Sequence, residues 1–151
     1  MKIYLERSAL VTILAEGQAS VDGKETGGIL AGFEADDALI VTIAGPPGPN
    51  AVRRANLFDR DIELAEAILQ EAFEGAGAVW IGDWHTHTLV SGRPSPTDYA
   101  SYQRIISEPE LKFEVFLSLI VTSDSGTFTD ARITPWLARP GSIEKSQIAL
   151  P

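Results

Sequence analysis

The run FEVFLSLIVTS, Phe113 to Ser123, constrains this chain more than any other stretch. It is rich in β-branched and aromatic residues and reads as the strongest strand in the sequence. It belongs in a sheet, and helices elsewhere in the chain are expected to flank that sheet as layers. ALIVTIAG, Ala38 to Gly45, is a second continuous apolar run of strand length. AVWIGDWHTH, Ala78 to His87, reads as a third buried strand and runs directly into both histidines of the chain, His85 and His87.

Helical spacing supplies the layers. Leu10, Ile13 and Leu14 recur at helical intervals between Ser8 and about Glu16. Asp59 or Asp61 can open a second helix, with Ile62, Ala65, Leu69, Ala72 and Phe73 on one face and Gly75 and Gly77 as the stop. A third is expected from Ser95 to about Ile106, facing inward through Tyr99, Tyr102 and Ile106. KIYLE alternates as a short strand, GKETGGILAGF is a glycine-rich lead-in to a strand, and PPGPN breaks the chain. SDSG is a turn with TFTDARIT as its expected hairpin partner. The reading is one α/β domain over residues 1–139, a mixed β-sheet flanked by helices, followed by a loose C-terminal tail over 140–151.

Composition narrows the classes of function. At 151 residues the chain is the size of one domain, and no apolar run approaches the roughly 20 residues of a membrane helix. The start, MKIYLERSALVTILAEG, lacks the form of a secretory signal. There is no cysteine, which excludes disulfides, thiolate nucleophiles and cysteine zinc sites and suits a reducing cytoplasm. A net charge of −9 disfavours nucleic acid as a partner. The glycines of TGGILAG are not followed by the lysine and hydroxyl residue of a nucleotide loop. Trp80, Trp84 and Trp136 read as core or site-wall residues, and Arg53 with Arg54 as a solvated pair.

The chemistry concentrates in GDWHTHTLVSGRPSPTDY, Gly82 to Tyr99. Residues two apart on a strand share a face, so His85 and His87 point the same way with backbones about 7 Å apart. Asp98 adds a carboxylate in the first turn of the next helix, where the helix dipole favours an anion. Two histidines and a carboxylate leave a fourth tetrahedral position open, the pattern of a catalytic zinc site. The same residues also have an architectural reading. SPTD is a good helix start, with Ser95 as N-cap, Pro96 at the first position and Asp98 completing a capping box. The two readings are compatible, because the cap places the carboxylate. A hydrolase also needs a base, and Glu25 stands just before Gly27 and Gly28, where backbone can approach a site closely. On context alone Glu25 also reads as a solvated turn residue.

His85, His87, Ser95 and Asp98 spell H-x-H-x(7)-S-x(2)-D, which resembles the JAMM motif of the MPN-plus metalloproteases. ETGGILAG resembles the upstream glutamate segment of that family, E-x-G-G-x-L-x-G. The resemblance spans about Lys2 to Pro135 by element order and is specific at Glu25–Gly32 and Gly82–Asp98. It implies the JAMM/MPN fold, of cytidine-deaminase-like architecture, in a minimal prokaryotic form. It also implies that His85, His87 and Asp98 bind one zinc ion and that Glu25 is the general acid/base. Ser95 would then stabilise the oxyanion. Thr86 stands where relatives often have serine. Thr88 stands where they often have proline, so the loop Thr88–Pro94 is expected to be more mobile. Deamination, the chemistry of an H-x-E with P-C-x-x-C pattern, fails for want of cysteine.

The implied activity is a zinc isopeptidase or peptidase that cuts after the C-terminal tail of a ubiquitin-like protein. The resemblance extends to deconjugases found beside activating and conjugating enzymes, including those of CBASS-type antiphage operons. Processing of a sulfur-carrier precursor differs only in the leaving group. A metal-bound MPN interaction module without turnover is the alternative of another class, and the intact glutamate argues against it.

Overall fold

The computed structural model describes residues Met1–Pro151. Thirteen elements follow one another. β1 (Lys2–Leu5) and α1 (Arg7–Ala19) lead into β2 (Gly27–Ala35) and β3 (Ala38–Ala44). Two short strands, β4 (Val52–Arg54) and β5 (Leu57–Asp59), precede α2 (Ile62–Ala76) and β6 (Val79–Thr86). Then come α3 (Pro96–Ser107), β7 (Phe116–Thr122), β8 (Arg132–Arg139), β9 (Ser142–Lys145) and β10 (Gln147–Ala149). No helix is long and apolar enough to cross a membrane.

The eight-stranded sheet runs β10-β1-β3-β2-β6-β7-β8-β9, and β4 with β5 forms a separate two-stranded ribbon. Parallel pairing of β6 with β7, β1 with β3 and β1 with β10 among otherwise antiparallel neighbours makes the sheet mixed, as expected. β7 lies near the middle with every residue buried, which its apolar sequence demands. One face packs on α1, where Ile13, Leu30, Trp84, Leu117, Leu119 and Leu137 share a core. The other face is covered by α2 over Ile29 and Ala31, and by α3 over Phe116 and Ala138.

Four expectations need correction. Ile62 and Phe73 of α2 are exposed, and Ile68 packs inward with Ala65, Leu69 and Ala72. A face of small residues lets this helix sit close to the sheet, and the larger pair falls at its margins. TFTDARIT is strand only from Arg132. Before it, the Asp130 carboxylate accepts from the Ser125 backbone N–H and the Ser125 hydroxyl, and this closes a turn that drives Phe128 into the core against Gly17. Arg53, read as half of a solvated pair, instead sits on the β4–β5 ribbon with its guanidinium held on Asp22.

The tail from Pro140 is not loose. β9 pairs with β8 at one edge of the sheet, and β10 pairs with β1 at the other. A single residue, Ser146, joins them. Its N–H donates to Pro135 O at 3.0 Å. The sheet therefore curls until one short segment serves both edges. Short polar strands such as SIEK and QIA give weak local signals, because their order comes from filling open ladders.

Candidate metal centre

β6 delivers the histidines. Trp84 and Thr86 point to the α1 side, and His85 and His87 point to the other. The strand is fixed on both flanks, antiparallel to β2 (Gly27 opposite His85) and parallel to β7 (Ile120 opposite His85). Close approach of β2 depends on glycine. A Cβ on Gly27 would lie 2.2 Å from Trp84 O, and one on Gly28 would lie 1.9 Å from Gly45 O. This bare backbone sets Glu25 beside the histidine strand.

Thr86 stitches the two motif segments together. Its hydroxyl accepts from Thr26 N–H at 2.9 Å, and its own N–H donates to Thr26 O at 2.8 Å. The motif alone does not assign Thr86 this role, although a hydroxyl between two histidines, on their opposite face, is a usable signal.

α3 delivers the third ligand atom. Asp98 N–H donates to Ser95 Oγ at 3.0 Å, and Ser95 N–H donates to Asp98 Oδ2 at 2.9 Å, a complete capping box with Pro96 in the first turn. The architectural reading of SPTD is therefore correct, and it aims the carboxylate. The cap uses a lone pair of the Ser95 hydroxyl and leaves its proton free to donate elsewhere.

The three ligand atoms form a tight triangle. His85 Nε2 is 3.1 Å from His87 Nε2 and 3.3 Å from Asp98 Oδ2, and His87 Nε2 is 3.1 Å from the same oxygen. A tetrahedral ion with bonds of about 2.0–2.1 Å spaces its ligand atoms about 3.3–3.4 Å apart, so the triangle is one face of such a tetrahedron. Proton accounting agrees. His87 Nδ1 lies 2.8 Å from Ser91 O, which can only accept, so Nδ1 carries the proton. In the neutral ring Nε2 is then a bare lone pair, turned toward a carboxylate. A shared cation relieves that repulsion, and a carbonyl fixing the outer nitrogen is the usual support of a ligating histidine. Burial would raise the Asp98 pKa, but without a metal, hydrogen bonds donated by the protonated histidines hold its carboxyl well below the ordinary carboxylate range.

Glu25 is 5% exposed. Burial raises its pKa above the usual glutamate value, against the opposing pull of His85 and His87. A wide cleft of about 580 Å³ is lined by Glu25, His87 and Ser95 together with Thr88, Leu89 and Arg93. A narrower one of about 250 Å³ runs between β5 and the start of α3, past Phe58, Arg60, Asp83, His85, Asp98 and Tyr102. The triangle sits between them. Arg60 pairs with Asp83 and stacks 5.0 Å from the Trp80 ring, forming a wall that no sequence motif marks.

The loop after the ligands is tethered. Thr88 Oγ1 donates to Ala55 O at 2.8 Å, Trp136 Nε1 donates to Gly92 O at 2.7 Å, and His87 holds Ser91. Thr88 thus supplies a cross-link in a loop expected to be more mobile. Arg53 is engaged too, with both terminal nitrogens on the Asp22 carboxylate.

The chain is similar to several known proteins. The probable metalloprotease y4qB of Sinorhizobium fredii is 32% identical over 114 residues, 73% of this chain and 69% of that protein. The CD-NTase/cGAS isopeptidase of Vibrio cholerae is 34% identical over 88 residues, 57% of this chain and 56% of that protein. The desampylase of Haloferax volcanii is 32% identical over 109 residues, covering 69% and 76% respectively. A solution structure of a protein from Desulfitobacterium hafniense superposes with a TM-score of 0.73 at 19% identity, over 99% of this chain and 92% of that one, which shows a shared fold. Residues 7–134 match the family described as prokaryotic homologs of the JAB domain, and the chain belongs to that family of metalloproteases and isopeptidases.

Proposed function

We propose that the protein is a zinc-dependent isopeptidase or peptidase that cuts after the C-terminal tail of a ubiquitin-like protein. One observation carries this reading: Glu25 and Ser95 line one cleft together with His87, a corner of the triangle it forms with His85 and Asp98. In this reading His85, His87 and Asp98 hold one zinc ion, which when bound supplies Lewis acidity to the scissile carbonyl and to water. Glu25 orients the attacking water, takes its proton and passes it to the departing amine. Ser95, with its hydroxyl proton left free by the cap, donates to the oxyanion. An interaction module without turnover has no use for a buried acid in that place.

The clefts suggest how a conjugate lies. β5 is paired only with β4, so its outer edge faces the narrow cleft with open backbone groups. An extended, glycine-ended tail fits there by strand addition. The leaving amine then departs through the wide cleft. The relatives named isopeptidase and desampylase support a conjugate as substrate and, with the lack of cysteine, a cytoplasmic setting. The Vibrio relative also supports a place beside activating and conjugating enzymes of a CBASS-type antiphage operon.

The test is cleavage of a panel of ubiquitin-like proteins joined to lysine side chains or to peptides, with wild type and Glu25→Ala side by side. Wild type should release the tail only when loaded with zinc, and Glu25→Ala should bind zinc without cleaving. Equal cleavage by Glu25→Ala would place the base elsewhere.

A further inference from the structure

We propose that Arg53 is a positioning residue for Glu25, holding the base from outside the site by clamping its backbone. The inference rests on the reading of Glu25 as the base. Glu25 belongs to no helix or strand, since it falls between α1 and β2 in a stretch without regular pairing. Its conformation must be imposed by neighbours.

The β4–β5 ribbon imposes it from two sides. Glu25 N–H donates to Arg54 O at 2.7 Å, and Arg53 Nε donates to Glu25 O at 3.0 Å. The two terminal nitrogens of the same guanidinium grip Asp22 at 3.0 and 3.2 Å. One planar group thus spans Asp22 and Glu25 and ties both to β4. The side chain of Arg53 is only 26% exposed, so the clamp is partly shielded from water. Lysine cannot replace it, because an ammonium is a single point of charge and the clamp needs donors in three directions of one plane. At the far end of the ribbon, Thr88 Oγ1 binds Ala55 O at the turn. The ribbon is therefore anchored both to the segment of the base and to the segment just after the second histidine. Its placement fixes the distance between them.

The consequence is specific. Displacing a reacting group by about 1 Å typically costs on the order of 10²-fold in rate, with little effect on binding. The tail of the substrate, lying along β5, does not touch Arg53, which is on the opposite strand and turned toward Asp22.

The experiment uses the full chain loaded with zinc, with Arg53→Met, Arg53→Lys, Asp22→Asn and the double variant Asp22→Asn/Arg53→Met. On a cleavable ubiquitin-like fusion, Arg53→Met should lower kcat by ~10–100-fold with KM within about twofold, and bound metal should be unchanged. Arg53→Lys should not rescue it. The double variant should match Arg53→Met rather than multiply the two losses, since both substitutions break one clamp. A second arm needs no substrate: amide hydrogen exchange at Asp22–Thr26 should quicken in Arg53→Met by about tenfold while β7 stays protected. An unchanged kcat, or a loss confined to KM, would overturn the proposal, as would unchanged exchange at Glu25. If wild type cleaves no fusion, the hydrolase reading fails, and the exchange arm decides separately whether Arg53 holds Glu25. Should Arg53→Met not fold, Asp22→Asn and Arg53→Lys carry both arms.

Discussion

The central strands and the rim around the cleft are held by different kinds of force. β6 and β7 are locked between neighbours on both sides, with Trp84, Leu117, Leu119 and Ile120 fully buried. His85 and Thr86 share that burial. The rim consists of the β4–β5 ribbon and the loop Thr88–Pro94. It is held by separate polar contacts such as Thr88 to Ala55 and Trp136 to Gly92, and it leaves Leu89 77% and Val90 56% exposed. The difference teaches where change is tolerated. The candidate metal triangle is bound up with the core, whereas the exposed rim hangs from a few replaceable hydrogen bonds.

The sharpest way to break this contrast is to remove a central ligand. His87→Ala should abolish metal binding and hydrolysis together, by metal analysis and turnover assay; retained metal-dependent cleavage would refute the ligand assignment. Glu25→Gln comes next, with bound zinc kept and turnover reduced by ~10²–10⁴-fold. Its stability effect has a definite sign. The folded pKa of Glu25 is raised, so the metal-free fold loses stability as pH climbs through the ordinary carboxylate range toward the raised value. At neutral pH, removing that charge should raise the Tm of the metal-free protein in thermal melts.

Ser95 separates architecture from chemistry. Ser95→Gly should cost only a few tenths of a kcal/mol as a cap, yet lower kcat by roughly 10²-fold. A loss in stability without a loss in rate would leave Ser95 as a cap alone. The smallest effect is expected at the rim. Leu89→Ser with Val90→Ser should leave Tm and bound metal unchanged and raise KM by about three- to tenfold, since partial cover of the two apolar side chains by a partner is worth roughly 1 kcal/mol in all. An altered metal content in that variant would show that the two regions are not independent.

The same contrast explains what can be read in advance. The strands at Ala38–Ala44, Val79–Thr86 and Phe116–Thr122 announce themselves because burial dictates their composition. The gathering of His85, His87 and Asp98 is legible because strand alternation and helix capping are local rules acting within 14 residues, His85 to Asp98. The ribbon is not. VRR and LFD have no periodicity, and their order comes from Glu25, almost 30 residues upstream of Arg53 and Arg54. Thr86 hides its role for a related reason: its partner, Thr26, is 60 positions away.

The joint at Ser146 bears on how the chain is made. β10 pairs with β1, so residues 2–4 wait for residues 147–149 to complete their ladder. Every other element precedes that pairing in order of synthesis. The parallel pairing of β1 with β10 closes a very long loop, and such pairings form late because chain entropy is lost before they are made. Until residues 142–149 are in place, β1 and β8 present unpaired backbone to other chains. Residues 147–149 thus act as a latch on assembly, at a distance from the chemistry.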